Sequence, residues 1–126
     1  MKKSILLIVF LMAPGFCLAA AGDKRIVEMW QCEAKEGKTA EEIQAHNTRW
    51  LAHTRKTSGS EDVRSYALAT VVGDQSKFVF VDTFPNMAAW AAAKSAEDSE
   101  EGEAIENGFN ELMDCEKNRL FESTEH

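Results

Sequence analysis

The stretch of residues 78–90 reads FVFVDTFPNMAAW and predicts a strand that is followed directly by a helix. Its apolar run from Phe78 to Val81 has no polar break, which predicts a strand over Lys77–Phe84 that is covered on both faces. Pro85 ends the strand, and Asn86 can cap a helix that begins directly after it. A buried strand that leads straight into a helix places the centre of an α+β domain here.

The flanking sequence supplies the remaining elements. A T-x-x-E capping box begins the first helix at Thr39, and Gly73–Ser76 form a hairpin loop between two strands. The predicted strands cover residues 26–34, 63–72, 77–84 and 115–122, and the predicted helices cover residues 40–57, 87–96 and 100–114.

The order β-α-β-β-α-α-β fits a ferredoxin-like split βαβ domain. We therefore predict a four-stranded antiparallel sheet of order 4-1-3-2 with its helices on one face. In this order the last strand runs antiparallel beside the first, so the end of one meets the start of the other. Cys32 and Cys115 lie at those two ends, which predicts a disulfide between them.

The N-terminus has the pattern of a secretory signal peptide over residues 1–21. Lys2 and Lys3 precede a short apolar run, and small residues end at Ala21. The predicted domain is then residues 22–126, located in the periplasm or secreted. A retained membrane anchor and a lipoprotein acylated at Cys17 are the alternatives.

Composition excludes several classes of partner. The formal net charge is −7, and it becomes −9 when Lys2 and Lys3 leave with the signal peptide. Such a chain repels nucleic acid and anionic lipid, so we expect neither as a partner. Cys32 and Cys115 form no C-x-x-C pair and no zinc-ligand cluster, and we predict no metal and no cofactor.

The pattern resembles the dimeric α/β-barrel superfamily of antibiotic-biosynthesis-monooxygenase-like domains. The residues that carry the resemblance are the strand Phe78–Phe84, the Pro85-Asn86 turn, and the helix with Ala88, Ala89 and Trp90. The resemblance implies a homodimer that pairs through the sheet face, with a cleft between sheet and helices in each subunit. It also implies binding, isomerisation, haem breakdown or cofactor-free oxidation in that cleft. The haem-degrading branch has a histidine on its second helix, and this chain has none there.

The first helix carries the candidate site. With about 100° per residue, one face of this helix holds four side chains of mixed character: Ile43, Asn47, Trp50 and Thr54. Polar groups in an inward stripe need partners, which either structural hydrogen bonds or a semi-polar pocket would provide. The candidate ligand-binding residues are Asn47, Trp50, His53 and Trp90.

The titratable side chains are predicted to lie at the surface or at the boundary of the core. His46 and His53 flank the inward face, and we predict that both are solvated boundary residues. No ionisable side chain occupies a position that the pattern marks as buried, which favours binding or structure over catalysis. Trp30 and Trp90 are interpreted first as core residues, because tryptophan buries a large area.

Three functions are compatible with the sequence. The first is an exported domain that binds a small, partly apolar ligand between sheet and helices. The second is a cofactor-free oxygenase or isomerase that acts in the same cleft. The third is a structural or interaction protein without a small-molecule site.

Overall fold

The computed structural model describes residues 24–125. The predicted signal peptide, residues 1–21, lies outside this range. The elements are four strands, three α-helices and one 3-10 turn: β1 (Arg25–Ala34), α1 (Ala40–Ser58), β2 (Arg64–Ala69), β3 (Lys77–Phe84), α2 (Met87–Ser95), the 3-10 turn (Ala96–Asp98), α3 (Glu100–Leu112) and β4 (Met113–Ser123).

The four strands form one antiparallel sheet of order β2-β3-β1-β4. This order is the predicted 4-1-3-2 arrangement read from the opposite edge. The central strand β1 pairs with β3 on one side, where Met29 lies opposite Val81, and with β4 on the other, where Met29 lies opposite Arg119. The predicted ferredoxin-like fold is confirmed.

Local sequence chemistry sets the ends of the helices. The Thr39 side chain accepts a hydrogen bond from the Glu42 amide, and the Glu42 carboxylate accepts one from the Thr39 amide, so the predicted capping box is formed. Gly59 ends α1 with φ 68°, a left-handed conformation that glycine adopts without a side-chain clash. Asn86 caps α2 by accepting from the Ala89 amide.

The helices cover one face of the sheet, and strand alternation decides which side chains meet them. On this face Ile26, Phe84 and Trp50 pack with Val63 and Ile105 at one end of the sheet. A second cluster at the other end contains Cys32, Ile43, Phe80 and Met113, with Phe109 partly buried against it. The two clusters leave the middle of this face to a different group of side chains, described below.

The opposite face of the sheet has no covering layer in the described chain. Strand alternation places apolar side chains there on all four strands, and those at the edges are exposed. The exposed side chains on this face include Tyr66 at 46%, Leu68 at 51% and Phe121 at 44%.

Cys32 and Cys115 are joined by a disulfide, with their sulfurs 2.02 Å apart. The two residues lie opposite each other in the β1–β4 pairing. The register shifts next to this point, between Gln31 and Cys32, so the bridge sits at an irregularity of the ladder. The predicted disulfide is confirmed, and it ties the central strand to an edge strand.

Two element boundaries differ from the sequence prediction by more than one residue. β2 ends at Ala69, and the continuing residues Val71 and Val72 are 83% and 88% exposed at the hairpin tip. β4 begins at Met113, where α3 had been expected to continue to Asp114. Apolar character alone extended β2 too far, because it does not distinguish a paired strand from a loop. Within residues 24–125, no helix has the length and hydropathy needed to cross a membrane.

Candidate functional site

A cavity of about 550 Å³ opens between the sheet and the helices, over the gap between the two apolar clusters. Its floor comes from β1, β3 and β4, and its walls come from α1, α2, the 3-10 turn and α3. Aromatic, amide and charged side chains alternate around it. The lining residues are Glu28, Trp30, Asn47, Trp50, Phe80, Asp82, Trp90, Lys94, Glu97, Glu106, Phe109, Asn110, Met113, Cys115 and Asn118.

Glu28 is the most deeply buried ionisable group of the cavity, with 2% of its surface exposed. Three donors hold its carboxylate, one from β4 and two from α2. Asn118 Nδ2 donates to Oε1 at 2.7 Å, and Trp90 Nε1 donates to Oε2 at 3.2 Å. Lys94 Nζ forms an ion pair with Oε2 at 3.1 Å. A buried charge is tolerated only when it is paired and hydrogen-bonded, and this carboxylate meets both conditions.

Asp82 lies directly opposite Glu28 on the neighbouring strand β3 and is 5% exposed. Its Oδ1 accepts a hydrogen bond from Ser65 Oγ at 2.5 Å. Ser65 Oγ in turn accepts one from Asn47 Nδ2 at 3.0 Å. The chain of donors therefore ends on Oδ1, and Oδ2 accepts no hydrogen bond within residues 24–125.

Burial raises the pKa of Asp82 from 3.8 to about 7. The Ser65 hydrogen bond opposes this rise, Glu28 adds to it by repulsion, and Lys94 acts against it. Since Ser65 already donates to Oδ1, the proton that Asp82 gains or loses near neutral pH is held on Oδ2.

Among residues 24–125, Lys94 is the only lysine or arginine that lines the cavity. Its ammonium lies 2.7 Å from Glu97 Oε1 as well as 3.1 Å from Glu28 Oε2. Burial by itself lowers the pKa of this lysine, but hydrogen bonding and attraction from Glu97 and Glu28 outweigh burial and hold the pKa above its ordinary value. The ammonium also sits over the Trp30 ring, 5.5 Å from its centroid. Lys94 is therefore a charged side chain on the wall, fixed by two carboxylates and an aromatic face.

Glu106 is a fourth carboxylate on the cavity wall, on α3. Burial raises its pKa, and Glu97 raises it further by repulsion, whereas Lys94 opposes the rise. Glu106 makes no ion pair with any residue of the described chain.

Three of the four candidate residues from the sequence lie around this cavity. Asn47 and Trp50 line it from α1, and Trp90 lines it from α2. The fourth, His53, lies outside it, in a groove between α1 and α3 that also contains Glu101. Its Nδ1 is 3.3 Å from Glu101 Oε2, but neither ring nitrogen forms a hydrogen bond within residues 24–125.

The prediction that both helix-α1 histidines are solvated is wrong. His46 is 9% exposed, its Nε2 lies 2.7 Å from the Ile105 carbonyl oxygen, and its ring meets Phe109 edge-on. The side chain of His53 is also only 9% exposed. α3 packs across this side of α1 and covers both rings, a contact between distant elements that the periodicity of α1 alone does not reveal.

Sequence reasoning missed the two most important groups of the site. The expectation that no ionisable side chain is buried is wrong, because Glu28 and Asp82 are both buried. The alternation of side chains along the two strands gave a partial indication that these carboxylates are buried. Glu28 falls on the apolar face of β1, and Asp82 alternates with Phe80 and Phe84 on the helix-facing side of β3. A carboxylate inside a stripe of that kind indicates either a buried ion pair or a site.

The arrangement can supply three kinds of interaction to a small molecule. Trp30, Trp50 and Trp90 offer aromatic surface, and Asn110 offers an amide. The Oδ2 atom of Asp82 can accept a hydrogen bond or exchange a proton near neutral pH. In the described part of the chain, no three His, Cys, Asp or Glu side chains are grouped so that they could hold a metal ion.

Comparison with known proteins places this architecture among solved structures. SnoaB, a cofactor-independent oxygenase from Streptomyces nogalater, matches with a TM-score of 0.61 at 12% identity, over 82% of this chain and 96% of that one. A NIPSNAP family protein from Agrobacterium tumefaciens matches with a TM-score of 0.58 at 16% identity, over 79% and 86% of the two chains. No family model and no curated protein matches the sequence.

The class that these observations define is a ferredoxin-like domain, which shares its fold with SnoaB and with the NIPSNAP family protein. The resemblance read from the sequence is thus confirmed at the level of the fold. Sequence identities of 12% and 16% establish a shared fold but not a shared activity.

Proposed function

We propose that this protein binds a small, partly apolar molecule in the cavity between sheet and helices. The observation that carries the proposal is an open cavity of about 550 Å³. Its floor holds the buried Asp82 carboxylate, one oxygen of which accepts no hydrogen bond from residues 24–125. Small-molecule sites have volumes of roughly 300–1,000 Å³ and combine apolar walls with a few placed polar groups. A purely structural role would instead favour closure of this space by its large side chains, Trp50, Trp90 and Phe109.

Asn47, Trp50 and Trp90 have distinct roles in this proposal. Trp50 and Trp90 provide flat apolar surface, and the Trp90 indole also fixes Glu28. Asn47 acts through Ser65, because it donates to the Ser65 hydroxyl, which in turn donates to Asp82 Oδ1. Both donors are thus on the Oδ1 side, and Oδ2 stays available to the ligand. The favoured ligand carries a hydrogen-bond donor that reaches this oxygen. His53 is not part of the proposed site, because it faces the separate groove with Glu101.

We propose that export and dimerisation accompany this function. The disulfide supports an oxidising compartment, either the periplasm or the exterior. The exposed apolar sheet face, with Tyr66, Leu68 and Phe121, supports a homodimer that covers it with a second copy.

Mass spectrometry of small molecules that co-purify with the natively exported protein tests the binding proposal. We expect a molecule that is retained by the native protein and lost from Asn47→Leu. The matched control is Asn107→Leu on the exposed face of α3, which should retain the molecule. Absence of any retained molecule from the native protein, under native purification, would count against a small-molecule site.

A second candidate function is proton transfer, as in a cofactor-free isomerase or oxygenase. The observation that favours it is Asp82, a buried acid with a pKa of about 7 whose Oδ2 is available. A general base of this kind should exchange an acidic C–H of the bound molecule with solvent. Incubation of the co-purified molecule in D₂O with the protein should then raise its mass, and Asp82→Asn should abolish the increase. Equal exchange with the variant would remove Asp82 from any such reaction.

A further inference from the structure

The charge on the cavity wall is strongly unbalanced. In the described part of the chain, four of the lining side chains are carboxylic acids and one, Lys94, is an ammonium. Lys94 pairs with Glu28 and Glu97, so the positive charge is already engaged by two of the four acids. Asp82 and Glu106 form no ion pair within residues 24–125. An anionic ligand would therefore meet uncompensated like charges in a partly desolvated space, where repulsion is stronger than in bulk water.

The same wall is rich in aromatic faces. Trp30, Trp50 and Trp90 line it, together with Phe80 and Phe109. A cation over an aromatic ring is attracted by the negative face of the ring, most strongly for tryptophan. The protein already contains one such contact, because the Lys94 ammonium lies 5.5 Å from the centroid of the Trp30 ring. This internal contact shows that the wall stabilises an ammonium group by aromatic and carboxylate contacts together.

The cavity also contains a buried hydrogen-bond acceptor, the Asp82 carboxylate. Asp82 is 5% exposed, lines the cavity and leaves Oδ2 without a donor within residues 24–125. This oxygen has a geometric reason to lack a partner, because Ser65 and Asn47 are both committed on the Oδ1 side. Oδ2 is therefore available to a donor on a molecule that enters the cavity.

Resting on the proposed small-molecule site, we infer that the ligand is an organic cation: an amine or quaternary ammonium group on a small apolar body. The cationic group is drawn by the charges of Asp82 and Glu106, and the apolar body lies against the tryptophan rings. Neutral analogues of the same shape gain only the apolar part of this interaction, and anions lose more than they gain.

The inference predicts a definite pH dependence for a quaternary ammonium probe, whose own charge does not titrate. Asp82 faces Glu28 on β1, Ser65 on β2 and Lys94 on α2, and its pKa is about 7. Glu106 faces Glu97, Lys94, Glu28 and His46, and its pKa is also raised. As the pH increases from 5 to 8 it passes through the pKa of Asp82, and this acid ionises. The affinity for the cation should therefore increase over this interval.

Three probes of similar size separate the possibilities: phenyltrimethylammonium, its neutral isostere tert-butylbenzene, and benzenesulfonate. Binding to the purified native protein is measured by ligand-observed NMR and by tryptophan fluorescence at pH 5 and pH 8. We expect the cation to bind at least about tenfold more tightly than the neutral isostere at pH 8, and benzenesulfonate to bind more weakly than both. The preference for the cation should shrink at pH 5.

Two variants on one helix provide the matched control. Glu106→Gln removes a charge from the cavity wall, and Glu103→Gln removes the same charge from the exposed side of α3. We expect Glu106→Gln to weaken binding of the cation severalfold, up to about tenfold, and to leave the neutral isostere unchanged. Glu103→Gln should change neither.

The outcomes test the proposed small-molecule site and the proposed charge of its ligand separately. Equal binding of the cation and its neutral isostere would overturn the inference of a cationic ligand and leave the proposed small-molecule site standing. Binding of none of the three probes at millimolar concentration would overturn both. Equal effects of Glu106→Gln and Glu103→Gln would show that net charge, and not this cavity, attracts the cation.

Discussion

Glu28 and Asp82 lie directly opposite each other on the neighbouring strands β1 and β3, and both side chains are buried beneath the helices. Two carboxylates at such positions cannot both be ionised without cost. The structure separates their surroundings: Glu28 receives an ammonium and two hydrogen-bond donors, whereas Asp82 receives one hydroxyl. Glu28 thus has an ionic partner, whereas burial raises the pKa of Asp82 to about 7.

This difference predicts that Asp82→Asn stabilises the protein at pH 8 and has little effect at pH 4. The folded-state pKa of Asp82 is about 7, above the ordinary value of 3.8. Between pH 3.8 and pH 7, Asp82 is therefore protonated in the folded protein and ionised in the unfolded chain. Asp82 therefore lowers the free energy of unfolding as the pH rises through this window, and the loss is complete above pH 7. The gain for Asp82→Asn at pH 8 should be roughly 2–4 kcal/mol.

Urea unfolding at the two pH values measures this effect. Asp98→Asn, an exposed change of the same chemistry in the 3-10 turn, is the matched control and should be neutral at both. A shift for Asp82→Asn that is the same at pH 4 and pH 8 would contradict the assigned ionisation.

Glu28 and Lys94 are predicted to be energetically coupled. The two side chains are 2% and 24% exposed, and removal of either charge leaves the other in a partly desolvated place. A double-mutant cycle with Glu28→Gln and Lys94→Met should give a coupling energy of about 1–3 kcal/mol in thermal or urea unfolding. The exposed pair Lys24–Glu122, with 61% and 55% exposure, should show no measurable coupling in the same experiment.

Removal of the disulfide should cost stability without a change of fold. Cys32 and Cys115 are 83 residues apart, so the bridge closes most of the domain into one loop. The chain-entropy model gives about 4–5 kcal/mol for a loop of this length. The double variant Cys32→Ala, Cys115→Ala should unfold at a correspondingly lower urea concentration. A reducing agent should lower the midpoint of the native protein towards that of the variant, and should leave the variant itself unaffected.

Much of this architecture could be predicted from sequence, for physical reasons that differ by element. Thr39 and Asn86 cap helices through their own side chains, so local sequence determines those starts. The order of strands and helices along the chain predicted the sheet order, and the positions of Cys32 and Cys115 agreed with it. These features require no knowledge of distant contacts.

The floor of the cavity could not be predicted in the same way. β1 and β3 are separated in sequence by α1 and β2, so no tight turn sets their register. The pairing of Glu28 with Asp82 depends on that register, since a slip of one residue would turn one of the two to the other face. Lys94 likewise enters the site only because α2 packs over β1, although its spacing of four from Trp90 places both on one helix face.

Gly108 should resist substitution by alanine, although alanine normally stabilises a helix interior. A Cβ atom at this position would lie 2.2 Å from Cε1 and 2.6 Å from Nε2 of the buried His46 ring. The ring cannot withdraw freely, because Nε2 is bonded to the Ile105 carbonyl oxygen. We expect Gly108→Ala to lower the free energy of unfolding by about 1–3 kcal/mol. In a His46→Ala background the same change should be neutral or stabilising, and stabilisation by Gly108→Ala alone would refute the close contact.

The open face of the sheet leads to a final prediction, about assembly. Leu68 lies on this face of β2 and is 51% exposed, beside apolar side chains of β3. Leu120 is similarly exposed, at 41%, but it lies on the helix side of β4, opposite Glu28 in the strand pairing. If a second copy covers the open face, Leu68→Lys would bury an unpaired ammonium at the interface, whereas Leu120→Lys would not.

Light scattering at micromolar concentration should therefore give a dimer for the native protein and for Leu120→Lys, and a monomer for Leu68→Lys. Because Leu68 is exposed within a single chain, its replacement should leave the far-ultraviolet circular dichroism of the monomer unchanged. A native protein that is monomeric under these conditions would show that the open face does not pair with a second copy. A dimer that survives Leu68→Lys unchanged would place the interface elsewhere on the molecule.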